Sequence, residues 1–276
     1  MKVTRLTSNG HKFTVKSITL TDEFRAILDG LLLGDGSYIK RSLTAHFSMS
    51  QIIQHEDWVF SLKNEFEANG LFLSFNKCAG KTLNSSPFLK AWSHGCIEFL
   101  EERMRWYPEG VKIVPRDLIL TPSTLAHWHM GDGNASVPKG RLEIKLHTNG
   151  FTENDVELLS EKFQNQLGLH SIIIHWRTQP IIVLQHKNAA SFISMVKPFL
   201  TPSFAYKVPN DPWSPPRCKK CESLITGESG TQRYVKYCDS CASPRMRKFR
   251  TFNREIIDRI NFQKNIARWK REGKSC

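Results

Sequence analysis

The chain has 276 residues and carries 39 lysines and arginines against 26 aspartates and glutamates, a formal net charge of +13. Hydrophobic residues make up 40% and aromatics 11%, which supports a packed core over one or two domains and excludes a disordered chain. No apolar run reaches the roughly 18 residues of a membrane span and the N-terminus has no apolar signal core, so the expectation is an intracellular protein with a polyanion partner. The excess charge is unevenly spread. Residues 1–210 hold 23 basic and 19 acidic side chains, whereas residues 244–276 hold 11 and 3.

In chain order, Thr21-Asp22 is a helix start signal, and Phe24, Ile27, Leu28, Leu31 and Leu32 follow at helical spacing up to Gly34-Asp35-Gly36. An alternating strand over 44–50, an amphipathic helix over 55–68, strands over 71–76 and 88–92, and a helix over 95–106 come next. A second helix opens at Thr121-Pro122-Ser123 and ends in Gly131-Asp132-Gly133, 97 residues after the first. The same order then returns: a strand over 141–148, a helix over 153–167, strands over 171–176 and 181–185, and a helix over 188–199. Alternation is strict over 141–147, where Leu142, Ile144 and Leu146 take one side and Arg141, Glu143, Lys145 and His147 the other. Such a sheet packs helices on its apolar face and offers a charged face to a polyanion. The body is a duplication.

The segment Thr201–Arg217 contains five prolines and is expected to be an extended connector. Beyond it lie two C-x2-C pairs, Cys218/Cys221 and Cys238/Cys241. Four thiolates at this separation suit one tetrahedral Zn²⁺, and an intracellular chain disfavours disulfides. Cys78, Cys96 and Cys276 are single reduced thiols, the first two in or near the core. Over 244–276, Phe249, Phe252, Ile256, Ile257, Ile260, Ile266 and Trp269 fall near helical spacing among basic residues, predicting one or two basic amphipathic helices.

Two carboxylates at the ends of matching apolar helices form an unusual pair, because a helix C-terminus already carries partial negative charge. If the halves pair about a pseudo-dyad, Asp35 and Asp132 meet and can hold a hard divalent cation. Gly30 and Gly34, one turn apart, would allow the helices to approach closely. Asp29 is expected to face solvent near a helix edge. His127 and His129, two residues apart on one helix, point to different faces and make no metal pair.

Leu28-Asp-Gly-Leu-Leu-Leu-Gly-Asp35-Gly36 resembles the LAGLIDADG motif, and Leu125-Ala-His-Trp-His-Met-Gly-Asp132-Gly133 resembles its second copy. The flanks agree: Leu120–Gly133, Leu146–Leu159 and Val196–Pro209 are similar to monomeric, intron-encoded LAGLIDADG homing endonucleases, and the similarity covers about residues 20–209. Asp29 and His127 depart from the motif's small residues. The cysteine pairs and basic tail are no part of the family's core.

The resemblance implies an α+β fold of two pseudo-symmetric αββαββα half-domains, 1–110 and 111–210, with saddle-shaped antiparallel sheets. A four-cysteine zinc module over 211–243 and a basic helical tail over 244–276 would follow. It implies a monomer that cuts double-stranded DNA at a long specific site, with Mg²⁺ or Mn²⁺ held at Asp35 and Asp132 beside Gly34 and Gly131. By local context it maps basic active-site residues onto Lys112 and Lys207, as stabilisers of charge on the phosphorane. Arg141, Glu143, Lys145, His147, Arg177 and Gln179 are the candidates for base edges. An RNA-binding intron maturase, or a DNA-binding protein without nuclease activity, are the alternatives; retention of both aspartates favours cleavage.

Overall fold

The Thr21 hydroxyl caps the first helix by accepting the Phe24 N–H at 3.2 Å, and Thr121 does the same for Thr124 at 3.1 Å. These caps open α1 (Asp22–Leu33) and α4 (Pro122–Asp132), the two helices of the duplicated motif. Every residue from Ala26 to Leu33 of α1 and from Thr124 to Met130 of α4 is buried. A helix apolar all round must lie between layers, and these two lie against each other.

The computed structural model describes residues 2–6, 12–79, 86–138, 141–209, 218–223 and 240–241. The chain divides into two compact units, Met1–Trp213 and Ser214–Cys276. In the first, α1 leads into β3 (Ser37–Lys40), β4 (Ala45–Ile52), α2 (Glu56–Ala68), β5 (Leu73–Cys78), β6 (Phe88–Ser93) and α3 (Ile97–Trp106). Likewise α4 leads into β7 (Gly133–Ser136), β8 (Glu143–His147), α5 (Glu153–Leu167), β9 (Ser171–Trp176), β10 (Gln179–Gln185) and α6 (His186–Val196). The two antiparallel sheets have equivalent orders, β3-β4-β6-β5 and β7-β8-β10-β9. The fold is α+β and repeats itself.

Register decides which side chains face the helices. Phe47, Met49, Leu89 and Ala91 in the first sheet, and Ile144, Leu146, Ile182 and Leu184 in the second with Leu142 just before β8, join the helices in one core. On the opposite face the pairing sets Ser37 beside Ser48, Ser48 beside Trp92, and Ser50 beside Lys90. In the second sheet it sets Lys145 beside Val183 and His147 beside Ile181.

Several features differ from the sequence expectation. The short strands β3 and β7 follow directly on each motif; with four residues apiece they carry too little alternation to signal themselves. An N-terminal hairpin of β1 (Lys2–Leu6) and β2 (Lys12–Lys16) also went unanticipated. Pro202–Lys207, within the expected extended connector, is a 3-10 helix, with Pro202 at its start where a missing N–H costs nothing. Asp29 is not solvent-facing but 4% exposed. No helix among the described residues is long and apolar enough to cross a membrane.

In the second unit, the Sγ atoms of Cys218, Cys221 and Cys241 lie within 4.8 Å of one another. The Lys220 N–H points at Cys218 Sγ from 3.5 Å, and Cys218 N–H donates to Ser223 O at 2.8 Å, closing a tight knuckle. Cys238 and the basic helices expected over 244–276 lie outside the described residues. In the first unit, Cys96 is fully buried and its thiol is pushed up to about 12, chiefly by desolvation, while Cys78 is half-buried.

Candidate active site at the crossing of the motif helices

Small residues bring α1 and α4 together. A Cβ on Gly30 would collide with the Thr124 carbonyl oxygen and lie 2.8 Å from His127 Cβ, so backbone packs on backbone there. One turn on, a Cβ on Gly34 would sit 3.5 Å from Gly131 Cα, and one on Gly131 3.5 Å from the Asp35 nitrogen. The bulky His127 therefore does not separate the helices; Gly30 makes room for it. Its ring lies flat beside Trp58 and its Nδ1 accepts the indole N–H of Trp58 at 3.1 Å. Desolvation lowers its pKa to about 4, which keeps the ring neutral.

The crossing delivers Asp35, just past the end of α1, and Asp132, the last residue of α4, to one place. Burial raises the Asp132 carboxyl to about 6, and the charge of Asp35 adds to this against the pull of Lys112 and Lys207. Asp35 is exposed as a residue, yet the protein around its carboxyl still raises its pKa, against Lys207 and Lys112. Gln51, at the end of β4, donates to Asp35 Oδ2 at 3.4 Å.

Each motif helix has its own lysine. Lys112 Nζ donates to Gly36 O at 3.1 Å and Gly34 O at 3.4 Å. Lys207 Nζ donates to Met130 O at 2.7 Å, His129 O at 2.8 Å and Gly131 O at 3.3 Å. Gly34, Met130 and Gly131 lie where a helix leaves its C-terminal carbonyls unpaired, His129 O is shared with the Gly133 N–H, and a cation there also opposes the macrodipole. Burial lowers both ammonium groups to about 8, with both aspartates pulling the other way. Two lysines and two carboxylates therefore share one partly desolvated spot.

Both lysines ride on irregular segments that the rest of the unit holds. The stretch carrying Lys112 is fixed from α5: Asp155 accepts Val114 N–H at 3.0 Å, and Lys162 donates to Arg116 O at 2.7 Å and Leu118 O at 2.9 Å. The 3-10 turn carrying Lys207 is fixed to the first half. Asp57 accepts Ser203 N–H at 2.9 Å, and the His55 ring stacks on Phe204 at 3.9 Å. The Lys207 carbonyl can only accept, so His129 Nε2 donates to it at 3.2 Å, and desolvation, which lowers the ring to about 4, keeps it neutral.

Behind α1, Asp29 receives both guanidinium nitrogens of Arg105, at 2.6 and 3.1 Å, and the Trp106 indole N–H at 3.0 Å. Arg105 also reaches Glu102 at 3.0 Å and Asp117 at 2.9 Å. Burial raises the Asp29 carboxyl despite Arg105. This cluster ties α1 to α3 and to the segment that carries Lys112.

Of the residues expected at base edges, Glu143, Lys145 and His147 share the outward face of β8, and Gln179 opens β10 on the same face. Glu143 pairs with Lys145 at 3.0 Å and accepts the Gln185 amide at 2.7 Å. Arg141 lies two residues before β8. Arg177 sits in the β9–β10 turn with φ 59°, followed by Thr178 at φ 145°, conformations that non-glycine residues rarely adopt. Its guanidinium lies over the Trp176 ring at 5.5 Å. Sequence reading missed Gln51, the Asp57–Ser203 and His55–Phe204 anchor of the Lys207 turn, and the Asp29 cluster. Only Gln51 left a sequence trace, standing one residue beyond the alternating stretch.

A helix pair crossing at glycines, with a carboxylate at each end and a duplicated sheet on either side, defines a class of two-motif proteins. The chain belongs to the LAGLIDADG DNA endonuclease family, whose family model matches residues 25–192. It is 30% identical over 193 residues to an uncharacterised protein of Methanocaldococcus jannaschii, covering 68% of this chain and 74% of that one. It is 28% identical over 204 residues to a cytochrome b mRNA maturase of Debaryomyces hansenii, covering 69% and 75%. Among solved structures it resembles the homing endonuclease I-WcaI bound to its DNA recognition sequence, with a TM-score of 0.60 and 22% identity over 69% of this chain and 87% of that one.

Proposed function

We propose that this chain is a site-specific double-strand DNA endonuclease, with Asp35 and Asp132 holding divalent cations, Mg²⁺ or Mn²⁺, between two scissile phosphates. The observation that carries the reading is the meeting of two carboxylates and two lysines at the C-terminal ends of the crossing helices. Left without a cation, that arrangement works against itself: Asp132 is raised by burial and by Asp35. The oxygen-rich donor set suits hard cations, which would supply Lewis acidity toward the phosphate and an acidified water. The Gly34 and Gly131 carbonyls beside the aspartates already accept from Lys112 and Lys207, so these lysines set the donor geometry. At neutral pH both ammonium groups are mostly charged and oppose negative charge developing on the phosphate. The outward residues of β8 and the turn after β9 then contact base edges and phosphates.

The test is to select duplexes from a randomised pool with the full chain in the absence of Mg²⁺, then add Mg²⁺ or EDTA. One enriched sequence cut on both strands only with Mg²⁺ is expected. Binding without cutting would leave a DNA-binding protein, and enrichment of no duplex would overturn the reading. The maturase relative favours one second reading, an intron RNA partner, which a parallel selection against structured RNA tests.

We further propose that Cys218, Cys221, Cys238 and Cys241 hold one Zn²⁺. A tetrahedral Zn–S bond of about 2.3 Å spaces sulfurs by roughly 3.8 Å, which suits three thiols within 4.8 Å of one another. Metal analysis of the purified chain is expected to find about one zinc, lost in Cys218→Ser/Cys221→Ser. Unchanged zinc content in that variant would remove the site.

A further inference from the structure

The two sheets are equivalent in topology and both outward faces expose single apolar residues, Ile39 at 45% and Ile52 at 41% in the first, but the edge strands β5 and β9 differ in chemistry. Pairing of β5 with β6, and of β9 with β10, makes Ser74 the counterpart of Ile172, Asn76 of Ile174 and Cys78 of Trp176. In the first half this row consists of small or hydrogen-bonding residues. In the second it is a continuous apolar row: Ile172 is 39% exposed, Trp176 is 56% exposed and Ile174 is half-buried. Beside them on the same face, Ile181 and Val183 of β10 are buried, so β9 supplies the apolar surface that remains open.

An apolar row on an exposed edge strand is an aggregation hazard, and a soluble fold removes it unless something uses it. This row is continuous with the polar residues of the proposed DNA face. Ile181 pairs with His147, Val183 with Lys145 and Gln179 with Trp176. Trp176 is steadied at the row's end, with the His147 ring at 6.0 Å on one side and the Arg177 guanidinium over it. In the major groove the one apolar group that distinguishes a base pair is the C5-methyl of thymine. Outward residues on a strand are about 6.7 Å apart, near two base-pair rises of roughly 3.4 Å, so the row spans about four base pairs at the spacing of alternate pairs.

We infer that the second half-domain reads its half of the target through thymine methyl groups packed against Ile172, Ile174 and Trp176. The first half-domain reads its half through hydrogen bonds from residues such as Ser74 and Asn76. The inference rests on the endonuclease reading and deepens it: the partner is duplex DNA whose two half-sites differ in chemistry, one of them thymine-dependent.

The test uses the full chain and the duplex obtained by selection, remade with deoxyuridine for thymidine in one half-site at a time. Uracil keeps every base-pairing and groove hydrogen bond and removes only the methyl. Binding is expected to weaken roughly fourfold for each methyl that contacts the row, in one half-site only. The variant Ile172→Ser/Ile174→Asn/Trp176→Cys, which gives β9 the outward residues of β5, is expected to bind thymine and uracil versions of that half alike. Equal binding of thymine and uracil duplexes by the wild-type chain, losses shared by both halves, a sensitivity that survives in the variant, or a half-site without thymines would each overturn the inference. Those outcomes presuppose an enriched duplex. Failure to enrich one would instead sink the endonuclease reading, so the two failures are told apart.

Discussion

Asp132→Asn is expected to abolish Mg²⁺-dependent cleavage and, at the same time, to stabilise the metal-free protein at neutral pH. On the proposed reading this carboxylate holds the cation, and its loss would remove about 4 kcal/mol of transition-state stabilisation, a fall in rate of roughly a thousandfold. The stability effect has the opposite sign. Folding raises this carboxyl from its ordinary 3.8 to about 6, so the folded state prefers it protonated. That preference stabilises the fold fully below pH 3.8 and is lost as pH rises through about 6, leaving an ionised, unfavourable carboxylate at pH 7. Because the group is only partly buried, its neutralisation is worth on the order of 1 kcal/mol rather than the full shift. Cleavage assays and urea melts in EDTA at pH 5 and pH 7 check both parts. An inactive variant with a higher midpoint at pH 7 and about half that gain at pH 5, where the unfolded carboxyl is already ionised, is the expected result. An active variant would remove Asp132 from the site, and equal midpoints at both pH values would mean that the carboxylate carries no folding penalty.

Asp29→Ala is expected to cost the first unit about 3 kcal/mol, the lower end of the range for breaking a buried ion pair. The aspartate is 4% exposed, and its loss leaves Arg105 and the Trp106 indole without their inward partner. Glu102 and Asp117 still hold Arg105, which is why the upper end of that range is not reached. Set against the roughly 5–15 kcal/mol typical of folded domains, such a loss is large. Asp29→Leu combined with Arg105→Met should recover much of it, because removing both charges leaves none buried alone. Denaturant melts of the two single variants and the double variant measure this coupling. Additive losses would show that the cluster is not acting as a unit.

How much of this was legible beforehand depended on whether the signal was local. Thr21 and Thr121, the helical spacing that follows them and the two Gly-Asp-Gly endings predict the motif helices, because capping and burial of a helix depend on residues a few positions apart. Strict alternation over 141–147 predicts β8 with the correct residues facing the core. By contrast, β3 and β7 are held by pairing with longer neighbours, and four residues carry no period of their own. The open face of the second sheet illustrates the same limit. The charges of β8 stand out in the sequence, but the apolar row of β9 looks like ordinary core until register shows which side it faces.

The sequence by itself determined the duplication, the helix that each acidic residue ends, the grouping of the cysteines into two pairs and the family. The first three are patterns of spacing along the chain, and the family rests on the resemblance of the two motif copies and their flanks. Only the tertiary structure decided what Asp29 does, since an aspartate in an apolar helix is anomalous until Arg105, 76 positions away, meets it. Only it showed that Lys112 and Lys207 each close the carbonyl end of their own motif helix, through contacts 76 to 78 residues apart. And only it divided the opening charge of +13 by use rather than by position. In the first unit the cations that matter are a few buried ones, held where two helix ends and two carboxylates make a positive charge favourable, a condition set by three-dimensional proximity that composition does not encode.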